Sequence, residues 1–200
     1  MKLNLNAFSY RIFIDPLLSG LRKTVTSKII ANAKVIDIAC GTGTLAIETA
    51  VTARHVTAVD LDERLISFAS ARATKKDAAN LSFELRDAAD LSSYPDKEFD
   101  IALISMAIHQ FQEETALKIL REMKRIADKA IIADYNYPMP RGIYKSIAYG
   151  IERIAGGDHF RNFRNYNSRG GIKWFTTASG LTIRSFTVNE NGVFAVIVCD

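Results

Sequence analysis

The stretch Val35-Ile36-Asp37-Ile38-Ala39-Cys40-Gly41-Thr42-Gly43-Thr44 constrains this chain more than any other. Val35 to Ile38 are apolar and β-branched apart from one acid, the pattern of a strand buried on both faces. Two glycines follow within three residues, so the chain turns tightly and leaves its backbone open to close approach. From Thr44 to about Thr52, Leu45, Ile47 and Ala50 recur at helical spacing. Strand, glycine turn and helix together make the first unit of a nucleotide-binding α/β domain. The helix N-terminus offers unpaired N–H groups to an anionic group of a ligand.

The pattern then repeats. Strands are expected at His55–Asp60, Leu81–Arg86, Phe99–Ser105 and Ala130–Tyr135. Helices are expected over Glu63 to about Lys76, with Asp62 as N-cap, and over Glu113–Ala127. Strands separated by helices imply parallel pairing with right-handed crossovers. After Tyr135 the pattern changes. Pro138 and Pro140 break the chain, and a helix runs over about Gly142–Ala155 until Gly156-Gly157. An aromatic- and arginine-rich stretch, Asp158–Tyr166, comes next, then a short helix around Ile172–Ser179. Leu181–Asn189 and Val193–Cys199 have no helix between them, and Asn191-Gly192 signals a hairpin. The expected fold is α/β: a Rossmann-like, seven-stranded, mostly parallel sheet with helices on both faces and a C-terminal antiparallel hairpin.

At 200 residues the chain is read as one domain. Residues 1–34 form an N-terminal helical lid or partner segment, with Leu17, Leu18, Leu21 and Val25 on one face. Residues 35–135 form the ligand-binding core, 136–180 a substrate-side helical segment, and 181–199 the hairpin. Cys40 and Cys199 form no disulfide framework and no Cys-x-x-Cys pair, so no metal site is expected. No apolar run reaches the length of a membrane span, and Asp15-Pro16 interrupts the only apolar run near the N-terminus. A cytoplasmic location is the resulting expectation. The net charge of +4 is unevenly spread: residues 35–134 carry twelve bases and seventeen acids, while both flanks are basic. The flanks are either solvated surface or a means of attracting an anionic substrate.

Gly41-x-Gly43-x-x-Ala46 also satisfies the loose dinucleotide fingerprint. Its neighbours discriminate. Asp37 places negative charge beside the loop, which disfavours a diphosphate and favours a cationic ligand with a free amino group. Asp60, ending the second strand, can accept both hydroxyls of a ribose. Asp87, just after the third strand, can accept from the amine of an adenine.

Taken together, Asp37-x-Ala39-Cys40-Gly41-Thr42-Gly43, Val59-Asp60-Leu61-Asp62, Arg86-Asp87-Ala88 and Phe99-Asp100-Ile101-Ala102-Leu103 resemble the successive motifs of class I S-adenosylmethionine-dependent methyltransferases. The resemblance spans 35–135 and extends through the hairpin. Ala39 departs from the glycine the family often has there. The N-terminal segment is similar to the branch that includes ubiquinone/menaquinone-biosynthesis and phospholipid methyltransferases.

The resemblance implies S-adenosyl-L-methionine as cofactor and S-adenosyl-L-homocysteine as product. It implies that Ala39, Cys40, Gly41 and Gly43 line the methionine moiety and that Asp37 helps hold its ammonium. Asp60 would take the ribose hydroxyls, Leu61 would pack on adenine, and Asp87 and Ala88 would read the adenine edge. Ser105 and Met106 would lie near the sulfonium.

His109 is the best-placed general base, if the acceptor must lose a proton; a structural role is the alternative. Tyr10, Tyr137, His159, Arg161 and Arg164 are candidates for substrate contact, each with packing or solvation as the alternative. Strand four ends Ser105-Met106-Ala107-Ile108 rather than Asn-Pro-Pro-Tyr, against a methyltransferase acting on DNA bases or glutamine amides. Phe160, Phe163 and Tyr166 among arginines could stack on RNA, but no RNA-binding module accompanies them.

The expected function is methyl transfer to a small-molecule acceptor, anionic or lipophilic. The alternatives are an NAD-dependent oxidoreductase and a non-catalytic methyltransferase-fold binding or partner subunit. A homodimer is left open.

Overall fold

The computed structural model describes residues 18–200. Tyr10, and the part of the N-terminal helical segment before Leu18, lie outside the described residues.

Seven strands form one sheet in the order β3-β2-β1-β4-β5-β7-β6. They are β1 Lys34–Ile38, β2 His55–Asp60, β3 Leu81–Leu85, β4 Phe99–Ser105, β5 Ala127–Tyr135, β6 Ile183–Val188 and β7 Phe194–Cys199. The first five run parallel, and β7 pairs antiparallel with both β5 and β6. Among the described residues, seven helices accompany them: α1 Ser19–Thr26, α2 Thr44–Ala50, α3 Glu63–Lys75, α4 Glu113–Ile126, α5 Ile143–Ala155, α6 Gly157–Arg169 and α7 Gly171–Ala178. A 3₁₀ turn, Ile108–Gln110, follows β4.

The core sits around β1 and β4. Val35, Ile36, Asp37 and Ile38 are all buried, and successive strand residues point to opposite faces, so both faces of β1 are covered. Burying a side chain such as Ile36 or Leu103 is worth roughly 1.5–3 kcal/mol, which is why the alternating pattern of a one-sided sheet is absent. β3 and β6 are the sheet edges, and their side chains are half-buried or exposed.

Helix ends follow local chemistry. Asp62 caps α3 by accepting from the Arg64 backbone N–H at 2.8 Å. On α4, Ala116, Ile119, Leu120, Met123 and Ile126 form the buried stripe. That helix passes into β5 without a loop, and Lys97 Nζ donates to the carbonyls of Lys124 and Ala127 at the junction. β5 therefore starts at Ala127, three residues before the sequence-based expectation. Asp128 and Lys129 hid this start: both are exposed, yet their backbone continues the ladder, with Phe99 opposite Ala127 and Ile101 opposite Lys129.

The Asp158–Tyr166 stretch lies within α6. Phe163 and Tyr166, three residues apart, are buried on one face, and the Tyr166 hydroxyl donates to the Tyr135 carbonyl at 2.7 Å. Two of the three aromatic residues considered for RNA stacking are thus interior packing groups.

Gly43, at the start of α2, has φ +70°, and a Cβ there would lie 2.7 Å from Ala69 Cβ and 3.0 Å from the Phe83 ring. Its lack of a side chain lets α2 approach α3 and β3. Gly43→Ala combines left-handed backbone strain with overpacking. We expect a loss of about 2–4 kcal/mol, read as a lower urea midpoint with an unchanged m-value.

Candidate cofactor site

A cavity of about 390 Å³ opens where β1, β2 and β4 end. In a parallel sheet this is where loops diverge and backbone groups are left for a ligand. Asp37, Ala39, Cys40, Gly41, Asp60 and Leu61 line it, and so do Asp87, Ala88, Ser105 and Met106. The structure thus brings together ten of the eleven residues that the resemblance assigns to the cofactor. The exception is Gly43, which packs against α3 and β3 and is not among the lining residues.

The loop after β1 is held by two bonds to β2. Cys40 N–H donates to the Val59 carbonyl at 3.0 Å, and Gly41 N–H donates to Asp60 Oδ2 at 2.8 Å. Asp60 Oδ1 accepts from the Asp62 N–H at 3.0 Å. The Asp60 carboxylate is therefore fixed in position before any ligand arrives. Asp87 is exposed, with Oδ1 accepting from the Ala89 N–H at 2.8 Å. Leu61 is 69% exposed and forms a lip of the cavity.

Two non-glycine residues flank the cavity in the left-handed region: Ala39 at φ +55° and Met106 at φ +54°. Ala39 occupies a position whose backbone suits glycine, which accounts for the glycine often found there. Strain of this kind concentrates at functional sites. Gly41, at φ +55°, is a different case from Gly43: a Cβ there would meet no atom within 4 Å. Glycine at 41 therefore serves the turn and leaves the cavity wall open.

Asp37 is 2% exposed, and its Oδ2 has no hydrogen-bond partner. Burial, and secondarily the charge of Asp60, pushes this carboxyl up to about 8. Burial, with Asp37 and Asp60 nearby, also pushes the Cys40 thiol up, which disfavours its thiolate. An unpartnered buried carboxylate in a cavity wall, beside a second carboxylate, fits a ligand that brings a positive charge.

His109, the candidate general base with a structural role as its alternative, lies away from the cavity. It is 1% exposed and is not among the residues lining the cavity. Its Nδ1 lies 2.6 Å from Asp134 Oδ1, and its Nε2 lies 3.5 Å from Glu152 Oε1. Burial alone would lower its pKa, but these two carboxylates outweigh burial and raise it to about 10. Enclosed by these carboxylates and absent from the cavity lining, the imidazole does not face an acceptor there.

Of the substrate candidates, Tyr10 lies outside the described residues. Tyr137, His159, Arg161 and Arg164 are not among the cavity lining. Tyr137 packs on Gly171, His159 faces Glu152, and Arg161 pairs with Asp158 on the surface of α6. Arg164 is exposed on the same helix.

Sequence reasoning missed Leu18, Arg22, Gln110 and Phe111, which line the cavity from α1 and from the turn after β4. Arg22 reaches Glu48 at 3.0 Å. No motif marks these four. For Asp134 and Glu152 there was a signal: an acid within an apolar strand, and an acid four residues after Ala148 on a buried helix face.

The strand order, the glycine loop and the three strand-end carboxylates define a Rossmann-like domain for a cationic adenosyl ligand. Residues 35–129 match the profile of the methyltransferase-domain family. The match covers just under half of the chain, and over these residues the chain is similar to that family. A protein of Pyrococcus horikoshii OT3 superposes with a TM-score of 0.72 at 19% identity, covering 100% of this chain and 94% of its own. A methyltransferase from Aquifex aeolicus gives 0.67 at 16%, covering 97% of each chain. The magnesium protoporphyrin IX methyltransferase of Synechocystis PCC 6803, with S-adenosylhomocysteine bound, gives 0.58 at 16%, covering 95% of this chain and 82% of its own. At these identities the likeness is one of fold.

An uncharacterised protein of Mycobacterium tuberculosis is 28% identical over 178 residues, or 78% of this chain and 64% of its own length. The chain thus spans less than two thirds of the length of that curated relative. Among the described residues, no helix is long and apolar enough to cross a membrane.

Asp37 generates a pH prediction. Its folded pKa of about 8 stands above the usual 3.8, so the folded state holds the proton that the unfolded chain releases. Ligand-free stability should therefore fall as pH rises from about 4 to about 8 on this group's account. Urea denaturation of wild type and Asp37→Asn across that range checks it. The wild type should show the steeper decline, and the difference in slope is the readout.

Proposed function

We propose that this protein transfers the methyl group of S-adenosylmethionine to a small, lipophilic acceptor. The observation that carries the reading is the buried carboxylate of Asp37, with an unpartnered oxygen, in a cavity shared with Gly41 and Asp60. The cofactor fits on two counts: Asp37 has a buried, unpartnered oxygen for a cation, and Gly41, with no atom within 4 Å of where a Cβ would stand, leaves open space beside the loop backbone. When bound, the cofactor supplies a methyl group on a sulfonium, which is already activated toward a nucleophile.

The chain's own residues then bind and position. Asp37 holds the ammonium, and in doing so returns from its raised pKa to the charged form. Asp60 keeps its two backbone bonds and uses its remaining lone pairs for the ribose hydroxyls. Leu61 covers the adenine, and Asp87 and Ala88 lie at its edge. The backbone of Ala39 to Gly41 lines the methionine end, with Ser105 and Met106 beside the reacting centre. Catalysis on this reading is orientation and exclusion of water, with no base drawn from His109.

The acceptor side supports a lipophilic substrate over an anionic one. Leu18, Met106, Ala107 and Phe111 contribute apolar surface there, the one arginine of the lining, Arg22, is paired with Glu48, and the substrate candidates Arg161 and Arg164 lie elsewhere. The oxidoreductase alternative is not favoured. An antiparallel strand, β7, stands between β5 and β6, where a dinucleotide fold has a second parallel mononucleotide-binding half. The place of Asp37 would also repel a diphosphate.

Asp60→Ala should weaken S-adenosylhomocysteine by about 10- to 100-fold in calorimetry, the loss of two hydrogen bonds to a charged acceptor. Labelled-methyl transfer into fractionated extract should appear in the apolar fraction and disappear with Asp60→Ala. A thermal shift with NAD, and none with the adenosyl ligands, would reverse the reading.

A further inference from the structure

One buried cluster is left unused by methyl transfer. His109 sits on the 3₁₀ turn after β4, Glu152 on the inner face of α5, and His159 in the first turn of α6. Gly156, at φ +128°, lets α5 turn directly into α6, so Glu152 and His159 face each other across the bend. One ligand atom from each of the three residues lies within 4.8 Å of the others.

The polar bookkeeping of this cluster is incomplete. His159 Nε2 lies 3.2 Å from Glu152 Oε2, yet the approach makes no hydrogen bond, and both atoms are buried without a partner. Such groups are rare in folded proteins and call for an unseen partner. Glu152 Oε1, by contrast, accepts from the Tyr135 hydroxyl at 2.8 Å.

We propose that His109 Nε2, Glu152 Oε2 and His159 Nε2 form a binding site for a divalent transition-metal ion of the zinc type. An ion held at about 2.0–2.2 Å by tetrahedral ligands sets them roughly 3.3–3.5 Å apart. Glu152 Oε2 and His159 Nε2, at 3.2 Å, already match that spacing; His109 Nε2 lies 3.5 Å from the other oxygen, Oε1, and all three ligand atoms fall within 4.8 Å, so a small rotation of the carboxylate closes the set. The outer groups are in place as well. Asp134 engages His109 Nδ1 at 2.6 Å and its backbone N–H at 3.2 Å, which turns Nε2 toward the cluster. Metal-binding histidines are commonly oriented in this way. The Tyr135 hydroxyl fixes Glu152 so that Oε2 is the oxygen left over.

Two imidazoles and one carboxylate suit zinc, cobalt, nickel or iron, rather than magnesium or calcium. A divalent ion would balance the two buried carboxylates, Asp134 and Glu152. It would displace a proton from His109 Nε2, and it would leave a fourth position for water. The site would join α5 and α6 to the end of β4, fastening the helices of 143–169 to the sheet. The cysteines, which form no Cys-x-x-Cys pair, give no sign of a metal site in the sequence. The three proposed ligands are 43 and 7 residues apart.

The test is metal binding, independent of methyl transfer. The full-length protein is stripped with a chelator and titrated with Zn²⁺ by calorimetry and with Co²⁺ by visible absorption. We expect one equivalent per chain, a Co²⁺ spectrum of tetrahedral intensity, and a higher melting temperature with Zn²⁺. Glu152→Gln and His159→Ala should each weaken binding by at least about 100-fold, and His55→Ala, outside the cluster, should not. Should Glu152→Gln fail to fold, the half-exposed His159, replaced by Asn, decides. No stoichiometric binding by the wild type, or binding retained in His159→Ala or in a folded Glu152→Gln, overturns the proposal.

Discussion

Burial of β1 on both faces is the constraint on which the rest depends. A strand with Val35, Ile36 and Ile38 inside can sit only mid-sheet, under helices on either side. Crossover connections then bring β2 and β4 alongside it in parallel, and all three strands end on one side of the molecule. Polar chemistry has no place along such strands and collects at their ends. The cavity between Gly41, Asp60 and Met106 is the direct result.

Asp37 is the exception that gives the cavity its character. It lies inside β1, opposite Ala58 and Leu103, where an apolar residue would be more stable. Burial raises its pKa, in keeping with that cost, and one of its oxygens has no partner within the fold. A ligand ammonium would supply one. Binding energy at this position is therefore stored in the ligand-free protein as a buried acid, while Asp60 is held rigid by backbone N–H groups and needs no rearrangement.

The second polar centre, around His109, is arranged differently. Asp134, Glu152, Tyr135 and His159 come from β5, α5 and α6, and they enclose the imidazole on every side. Such a network ties the helices of 143–169 to the sheet whether a proton or a metal ion supplies the positive charge. The same enclosure removes His109 from the chemistry of the cavity, two residues from Ala107 at its wall.

The sequence by itself determined the strand positions to within a few residues, the parallel core, the closing hairpin and ten of the cavity residues. The strands, the hairpin, Asp37, Gly41, Asp60 and Asp87 follow from local signals: runs of β-branched residues, helical periodicity, glycine turns and acids near strand ends; Ala39, Cys40, Leu61, Ala88, Ser105 and Met106 came only with the family resemblance. What sequence reasoning left undecided depends on distance across the fold. Gly41 and Gly43 look alike in one dimension. Only packing shows that the first opens the cavity, while the second makes room for Ala69 and Phe83. His109 looked like a base because it follows β4. Only tertiary structure brings Asp134 and Glu152 to it, from 25 and 43 residues away, and electrostatics in a buried site is set by such neighbours rather than by position along the chain.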